Sequence, residues 1–127
     1  MADGDGFIST GPDQGSHQCV ALVKAAIPAL GATSNWKKGT DIDATNLPDL
    51  LQGTAIGYGF DSSGDYPSNP SGNHVAIVSA VQGNSVSVLD QWDSRPRRDA
   101  YQKARTHPID LGHRQWSIVT RKASETS

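Results

Sequence analysis

Apolar positions along this chain follow two periods. In residues 16–27 (SHQCVALVKAAI), Val20, Val23 and Ile27 recur at i, i+3 and i+7, the spacing of one helix face. Ser16 is the expected N-cap, and Pro28 stops the helix at about Ile27. From Thr54 the pattern turns to strands. Residues 54–60 read as a strand broken by glycine, and residues 74–81 and 85–92 as β-branched strands joined across Gln82-Gly83-Asn84, a hairpin. Residues 114–121 offer a last strand. The remainder reads as connection. Residues 1–15 form an irregular lead-in, and residues 31–53 are turn-punctuated around an anchoring Trp36 and a short apolar piece at Leu47 to Leu51. Residues 61–73 form a long loop rich in Ser, Gly, Pro, Asp and Asn, and residues 93–110 are polar and read mostly as loop. Helix first and antiparallel sheet after is an α+β layout, with one domain over residues 1–121 and a polar tail over 122–127.

Composition narrows this further. The chain has 127 residues, of which 35% are apolar, with 13 Gly and 7 Pro, which suits a loop-rich domain and excludes a coiled coil or solenoid. A net charge of −2 supplies no positive field for nucleic acid or anionic lipid. The apolar runs are too short to span a bilayer. The first residues carry neither a basic nor an apolar leader segment, so the expectation is synthesis in the cytoplasm without a signal peptide. Only one cysteine is present, so no intrachain disulfide and no four-thiolate zinc site can form.

That cysteine, Cys19, is the first chemical candidate. If Ser16 caps the helix, Cys19 is its third residue, where unpaired N–H groups and the positive dipole end favour a thiolate. A thiolate hydrolase needs a base of near-neutral pKa, and His74 opens an apolar strand after the long loop. Asp90 and Gln91, late in the paired strand, are the candidates for orienting the imidazole. A three-residue loop at the hairpin puts Asp90 on the His74 face, and a two-residue loop favours Gln91. Turn chemistry prefers the shorter loop, and matching Val86 and Val88 to Ala76 and Val78 prefers the longer one, so both readings stand. Tyr58, Tyr66 and Trp92 are candidate apolar contacts for a substrate, with residues 61–73 as a wall or lid. Arg95-Pro96-Arg97-Arg98 reads as a solvated turn. His17, His107 and His113 match no metal-ligand spacing.

Five blocks in order carry a resemblance: Gln18-Cys19-Val20-Ala21-Leu22-Val23-Lys24, Trp36-Lys37-Lys38-Gly39, Gly53-Thr54-Ala55-Ile56, Gly72-Asn73-His74-Val75-Ala76-Ile77-Val78 and Val88-Leu89-Asp90-Gln91-Trp92. Over about residues 14–92 the chain resembles the CHAP branch of the NlpC-type papain-like cysteine amidases, and within that superfamily the small type VI secretion amidase effectors. The resemblance implies a papain-like fold with a Cys-bearing helix on a small antiparallel sheet. It matches Cys19 to the nucleophile, His74 to the base and Asp90 to the orienting residue, with Gln91 as the alternative. The chain departs from the family pattern at Trp92, where an Asn is common. The resemblance also implies an oxyanion site from the Cys19 backbone N–H with the side chain of Gln14 or Gln18, and chemistry that needs no metal or organic cofactor.

The function implied is hydrolysis of an amide bond in peptidoglycan, with the diaminopimelate to D-Ala cross-link favoured over the D-Glu to diaminopimelate bond. The partners implied are peptidoglycan, a type VI secretion apparatus and a cognate immunity protein, with no nucleic acid and no membrane insertion. The site of action is a target bacterium's periplasm. The competing readings are a cysteine hydrolase of another amide substrate and a non-catalytic binding module of the same fold.

Overall fold

A computed structural model of the chain describes residues 18–31, 33–43, 45–67, 73–83, 85–93, 101–111 and 114–121. Among these residues the regular structure is one α-helix, α1 (Cys19–Ala26), and six strands. The strands are β1 (Trp36–Asp41), β2 (Ala55–Tyr58), β3 (His74–Gln82), β4 (Ser85–Asp93), β5 (Tyr101–Ile109) and β6 (Ser117–Arg121). They form a single antiparallel sheet in the order β1-β6-β2-β3-β4-β5. The α+β class therefore holds.

Alternation along the central strand β3 explains why it reads as an unbroken apolar run. Val75 and Ile77 share a buried cluster with Leu22 and Val23 of α1, Trp36, Tyr66 and Val119. Ala76 and Val78 point the other way, into a cluster with Ile56, Val86, Val88 and Trp116, closed by Ile42, Leu47 and Leu50. A strand covered on both faces has no polar side to alternate with. Fully burying one such side chain contributes about 1.5–3 kcal/mol, and together they anchor the first half of β3, the carrier of His74, inside the sheet.

Two strands arise where loop was expected. β1 lies within residues 31–53 and β5 within residues 93–110, and the sheet order places them at its two edges. Edge strands bury little. In β1 only Trp36 is buried, and β5 alternates exposed and half-covered positions around Pro108. Their charged and proline-bearing sequences are what edges use to resist pairing with other chains.

The hairpin joins its strands by a two-residue turn, since Gln82 pairs with Ser85 and Gly83 adopts a φ of +60°. A two-residue turn alone would move Asp90 off the His74 face. It does not, because the register shifts between Val78 and Ala80, with Val78 opposite Val88 and Ala80 opposite Ser87. Ser79 is an extra residue, a β-bulge, and it restores the parity the turn removes. Turn chemistry and the apolar stripe are thus both obeyed.

Gly57 on β2 allows the close approach that seats His74. A Cβ there would lie 2.8 Å from the His74 carbonyl oxygen and 2.9 Å from Val75 Cγ1. Gly57→Ala is expected to displace the start of β3 and to cost about 1–3 kcal/mol of stability through overpacking. Urea unfolding measures this, and a midpoint equal to wild type would show that the strand yields freely.

Candidate active site

The site assembles where the first turn of α1 meets the start of β3. The helix begins at Cys19 with Gln18 as N-cap, and no side chain caps it. Cys19 is therefore the first helical residue rather than the third. The expected cap Ser16, together with His17 and Gln14, lies outside the described residues, as do Arg95–Arg98, His113 and the tail at 122–127. The change of register strengthens the electrostatic argument, because the orphan N–H groups of the first turn surround the thiol's own backbone. The helix ends as expected, with the Ile27 N–H donating to Val23 O at 2.8 Å and Pro28 opening a 3₁₀ turn.

Three groups meet the thiol. Burial works against the thiolate, but a hydrogen bond and the charge of His74, a bond to the Val75 backbone and one from the Tyr66 hydroxyl outweigh it, and the Cys19 pKa lies below its ordinary value. On the far side of the imidazole, His74 Nε2 is 2.8 Å from Asp90 Oδ2. With Nε2 committed to the carboxylate, Nδ1 is the nitrogen left for the sulfur. Burial would lower the His74 pKa, yet the bonds to Asp90 and Cys19 and their negative charges raise it to about 9. Both shifts favour a thiolate–imidazolium pair at neutral pH.

Asp90 and Gln91 separate cleanly. The Asp90 side chain is 5% exposed, and burial pushes its pKa up, but the bonds from His74, His107 and Gln102 and the His74 charge carry it below the usual value. Gln91, fully buried, faces the helix side, where its Nε2 donates to the Gln18 carbonyl at 2.9 Å. One residue touches the imidazole; its neighbour ties down the helix start.

The three aromatic candidates lie in different surroundings. Tyr58 is half-buried directly opposite His74, their ring centroids 6.0 Å apart, with Trp116 edge-on at 4.9 Å and the Arg114 guanidinium 5.0 Å over its face. Trp92 lines a depression with Gln102 and Ala104 between β4 and β5. Tyr66 is buried and points under the thiol rather than into a groove. Its ring packs at 5.5 Å from that of Trp36, whose indole N–H is shared between the carbonyls of Leu30 and Gly31. The long loop is held at its described ends. Asp61 accepts bonds from the N–H groups of Ser63 and Asp65, the Lys38 N–H donates to Gly64 O, and Asn73 Nδ2 donates to Pro67 O. Trp36 and the docked loop together deliver the Tyr66 hydroxyl to sulfur.

That hydroxyl is a residue role the sequence did not suggest. Burial and the nearby thiolate raise the Tyr66 pKa, so the phenol remains a donor at any working pH. Tyr66→Phe removes one bond to the thiolate while sparing the packing. The expected result is a rise in the thiol pKa, read as an upward shift in the pH midpoint of iodoacetamide alkylation. An unmoved midpoint would remove Tyr66 from the site. His107 and Gln102 were likewise missed, since both lie in β5, where loop was expected.

Comparison with known proteins gives this geometry a context. The family described as "Domesticated amidase effector 2" matches residues 4–107. Among solved structures, one titled "Type 6 secretion amidase effector 2 (Tae2)" is similar, with 20% sequence identity and a TM-score of 0.63 over 98% of this chain and 97% of that one. At that identity the likeness is one of fold. No curated protein matches the chain. The family match spans most of the sequence and takes in the helix start, the β3–β4 hairpin and β5 as far as His107, and this chain is an enzyme of the domesticated amidase effector 2 family.

Proposed function

We propose that this chain hydrolyses an amide bond in peptidoglycan stem peptides or their cross-links, with Cys19 as nucleophile, His74 as base and acid, and Asp90 as the residue that orients His74. The observation that carries the proposal is the continuous chain of contacts from sulfur through imidazole to carboxylate, with Nε2 to Oδ2 at 2.8 Å, in a member of an amidase effector family. A helix-start cysteine packed against a sheet that presents the histidine supports a papain-like layout.

The steps follow from the groups present. The Cys19 thiolate attacks the substrate carbonyl carbon, the C–S bond forms, and the carbonyl π pair moves to oxygen. First-turn N–H groups, that of Cys19 included, face this oxyanion. Gln18, exposed at the N-cap, is the described side chain nearest in sequence for the same task. As the tetrahedral intermediate collapses, His74 Nδ1 gives its proton to the departing amine nitrogen. Neutral His74 then takes a proton from water, the resulting hydroxide attacks the thioester, and the thiolate leaves. Asp90 keeps Nε2–H engaged throughout, so that Nδ1 always faces the sulfur.

The biological setting proposed is that of an antibacterial toxin. The chain leaves its producer by type VI secretion, acts in a target cell's periplasm and is neutralised by a cognate immunity protein. The family name and the structural likeness to a type 6 secretion amidase effector support the amidase and secretion parts of this reading. Among the described residues no helix is long and apolar enough to cross a membrane. The favoured bond is the diaminopimelate to D-Ala cross-link. Digestion of purified sacculi followed by muropeptide separation tests both levels. Loss of cross-linked dimers with monomer stems intact is expected. Cleavage within monomer stems would move the cut to the D-Glu to diaminopimelate bond, and an unchanged profile would reject the cell-wall substrate. The active ion pair also sets a pH window. Activity should fall as pH rises through about 9, where His74 loses the proton the leaving amine needs; a rate still climbing well above that pH would contradict His74 as the acid.

A further inference from the structure

The imidazole of His74 stands against two other rings. Its centroid is 6.0 Å from that of Tyr58 and 6.4 Å from that of Trp116, and those two are 4.9 Å from each other. The charges of Cys19 and Asp90 both reach the Tyr58 hydroxyl, so this aromatic corner lies beside the reacting groups. The same two rings line a cavity of about 320 Å³, completed by Ile109, Asp110 and Arg114. Its lining joins two rings and an aliphatic side chain to one cation and one anion.

Arg114 is exposed, and its guanidinium lies 5.0 Å over the Tyr58 ring. Stacking on the ring face steadies the planar group and leaves its N–H donors unspent. Among the described residues none of those donors is taken by a carboxylate. A guanidinium held over a ring with its donors open is suited to a carboxylate, which it can grip with two parallel bonds. Asp110, the acidic member of the lining, has contacts of its own. It makes the lining neutral overall, so a bare anion is not drawn in, and a carboxylate must be delivered on a larger substrate.

We propose that Arg114 is a specificity-determining residue that binds a carboxylate on the substrate residue supplying the leaving amine. The proposal rests on the reading of His74 as general acid in amide hydrolysis. His74 must reach the leaving nitrogen to protonate it. The residue carrying that nitrogen therefore sits against the imidazole and the rings packed on it. At a diaminopimelate to D-Ala cross-link, the carbon that bears the leaving nitrogen also bears a carboxylate. Tyr58 and Trp116 cover the methylene chain of that residue, and Arg114 receives the carboxylate. Where the polymer carries an amide in place of this carboxylate, the charge-assisted bonds are lost and the substrate is disfavoured.

Binding to the Cys19→Ala protein tests this apart from turnover. The probes are two cross-linked muropeptide dimers that differ only in whether the carboxyl beside the scissile nitrogen is free or amidated. Titration calorimetry reads their Kd values. The free acid is expected to bind about tenfold tighter, the scale of one charge-assisted pair at a partly exposed site. Adding Arg114→Gln should bring the two values to within about twofold by weakening the free acid alone. Equal binding of the two dimers, binding of neither, or a preference that survives Arg114→Gln would overturn the proposal. An equal loss for both dimers would overturn it too, because the guanidinium would then only steady Tyr58. A preference that depends on Arg114, in a protein whose wild type leaves sacculi uncut, would reject the hydrolysis alone and keep the carboxylate subsite.

Discussion

Cys19→Ala should lower amide hydrolysis by on the order of 10⁴-fold or more, the scale on which a nucleophile acting with its base is lost. No other thiol exists in the chain to take over. Cys19→Ser should fare little better, because the hydroxyl does not ionise near neutral pH and His74 is tuned to pair with an anion. Removing the sulfur also removes one source of the raised His74 pKa, so the imidazole should release its proton at lower pH in Cys19→Ala. The fold should survive, since the core around Leu22 and Val23 is untouched. Turnover of sacculi and a thermal melt measure the two effects. Activity within tenfold of wild type in a folded Cys19→Ala protein would end the cysteine mechanism.

The second large effect concerns Asp90. Asp90→Ala leaves His74, His107 and Gln102 without their shared acceptor, a side chain only 5% exposed. A stability loss of about 3 kcal/mol is expected from breaking such a buried set. A rate loss of about 10²–10⁴-fold should accompany it, since the imidazole loses both orientation and a partner charge. The sign of the pH effect follows from the same contact. Asp90 helps raise His74 to about 9, so without it the upper limb of the rate profile should move down toward the ordinary value of 6.5. Gln91→Ala is the control. It frees the Gln18 carbonyl and leaves a cavity at a fully buried position, so stability should fall by about 1–3 kcal/mol, while the His74 limb stays in place. If instead Gln91→Ala moves the limb and Asp90→Ala does not, the orienting roles are reversed.

Much of the site could be read from local pattern because its two principal residues sit on strongly patterned elements. Cys19 begins an amphipathic helix closed by Pro28, and His74 opens a β-branched strand with a clear hairpin partner. The edge strands could not be read this way. β1 and β5 bury little, and their charged, polar residues look the same in a strand as in a loop. His107 and Gln102 were lost with β5. Tyr66 was misread for a different reason: an aromatic in a polar loop resembles a groove wall until the loop's docking onto β1 is known.

Local sequence by itself determined the elements that carry the thiol and the imidazole, because helix and strand periodicity and a proline stop depend on neighbours a few residues away. Only the tertiary structure decided which acidic or amide side chain meets the imidazole. That choice turns on the parity of one ladder, and parity was set by the Ser79 bulge, which compensates a two-residue turn. A bulge in β5 likewise brought Gln102 and His107 to one carboxylate. A one-residue slip turns every later side chain to the opposite face, and nothing short of the paired strands records whether the slip occurred.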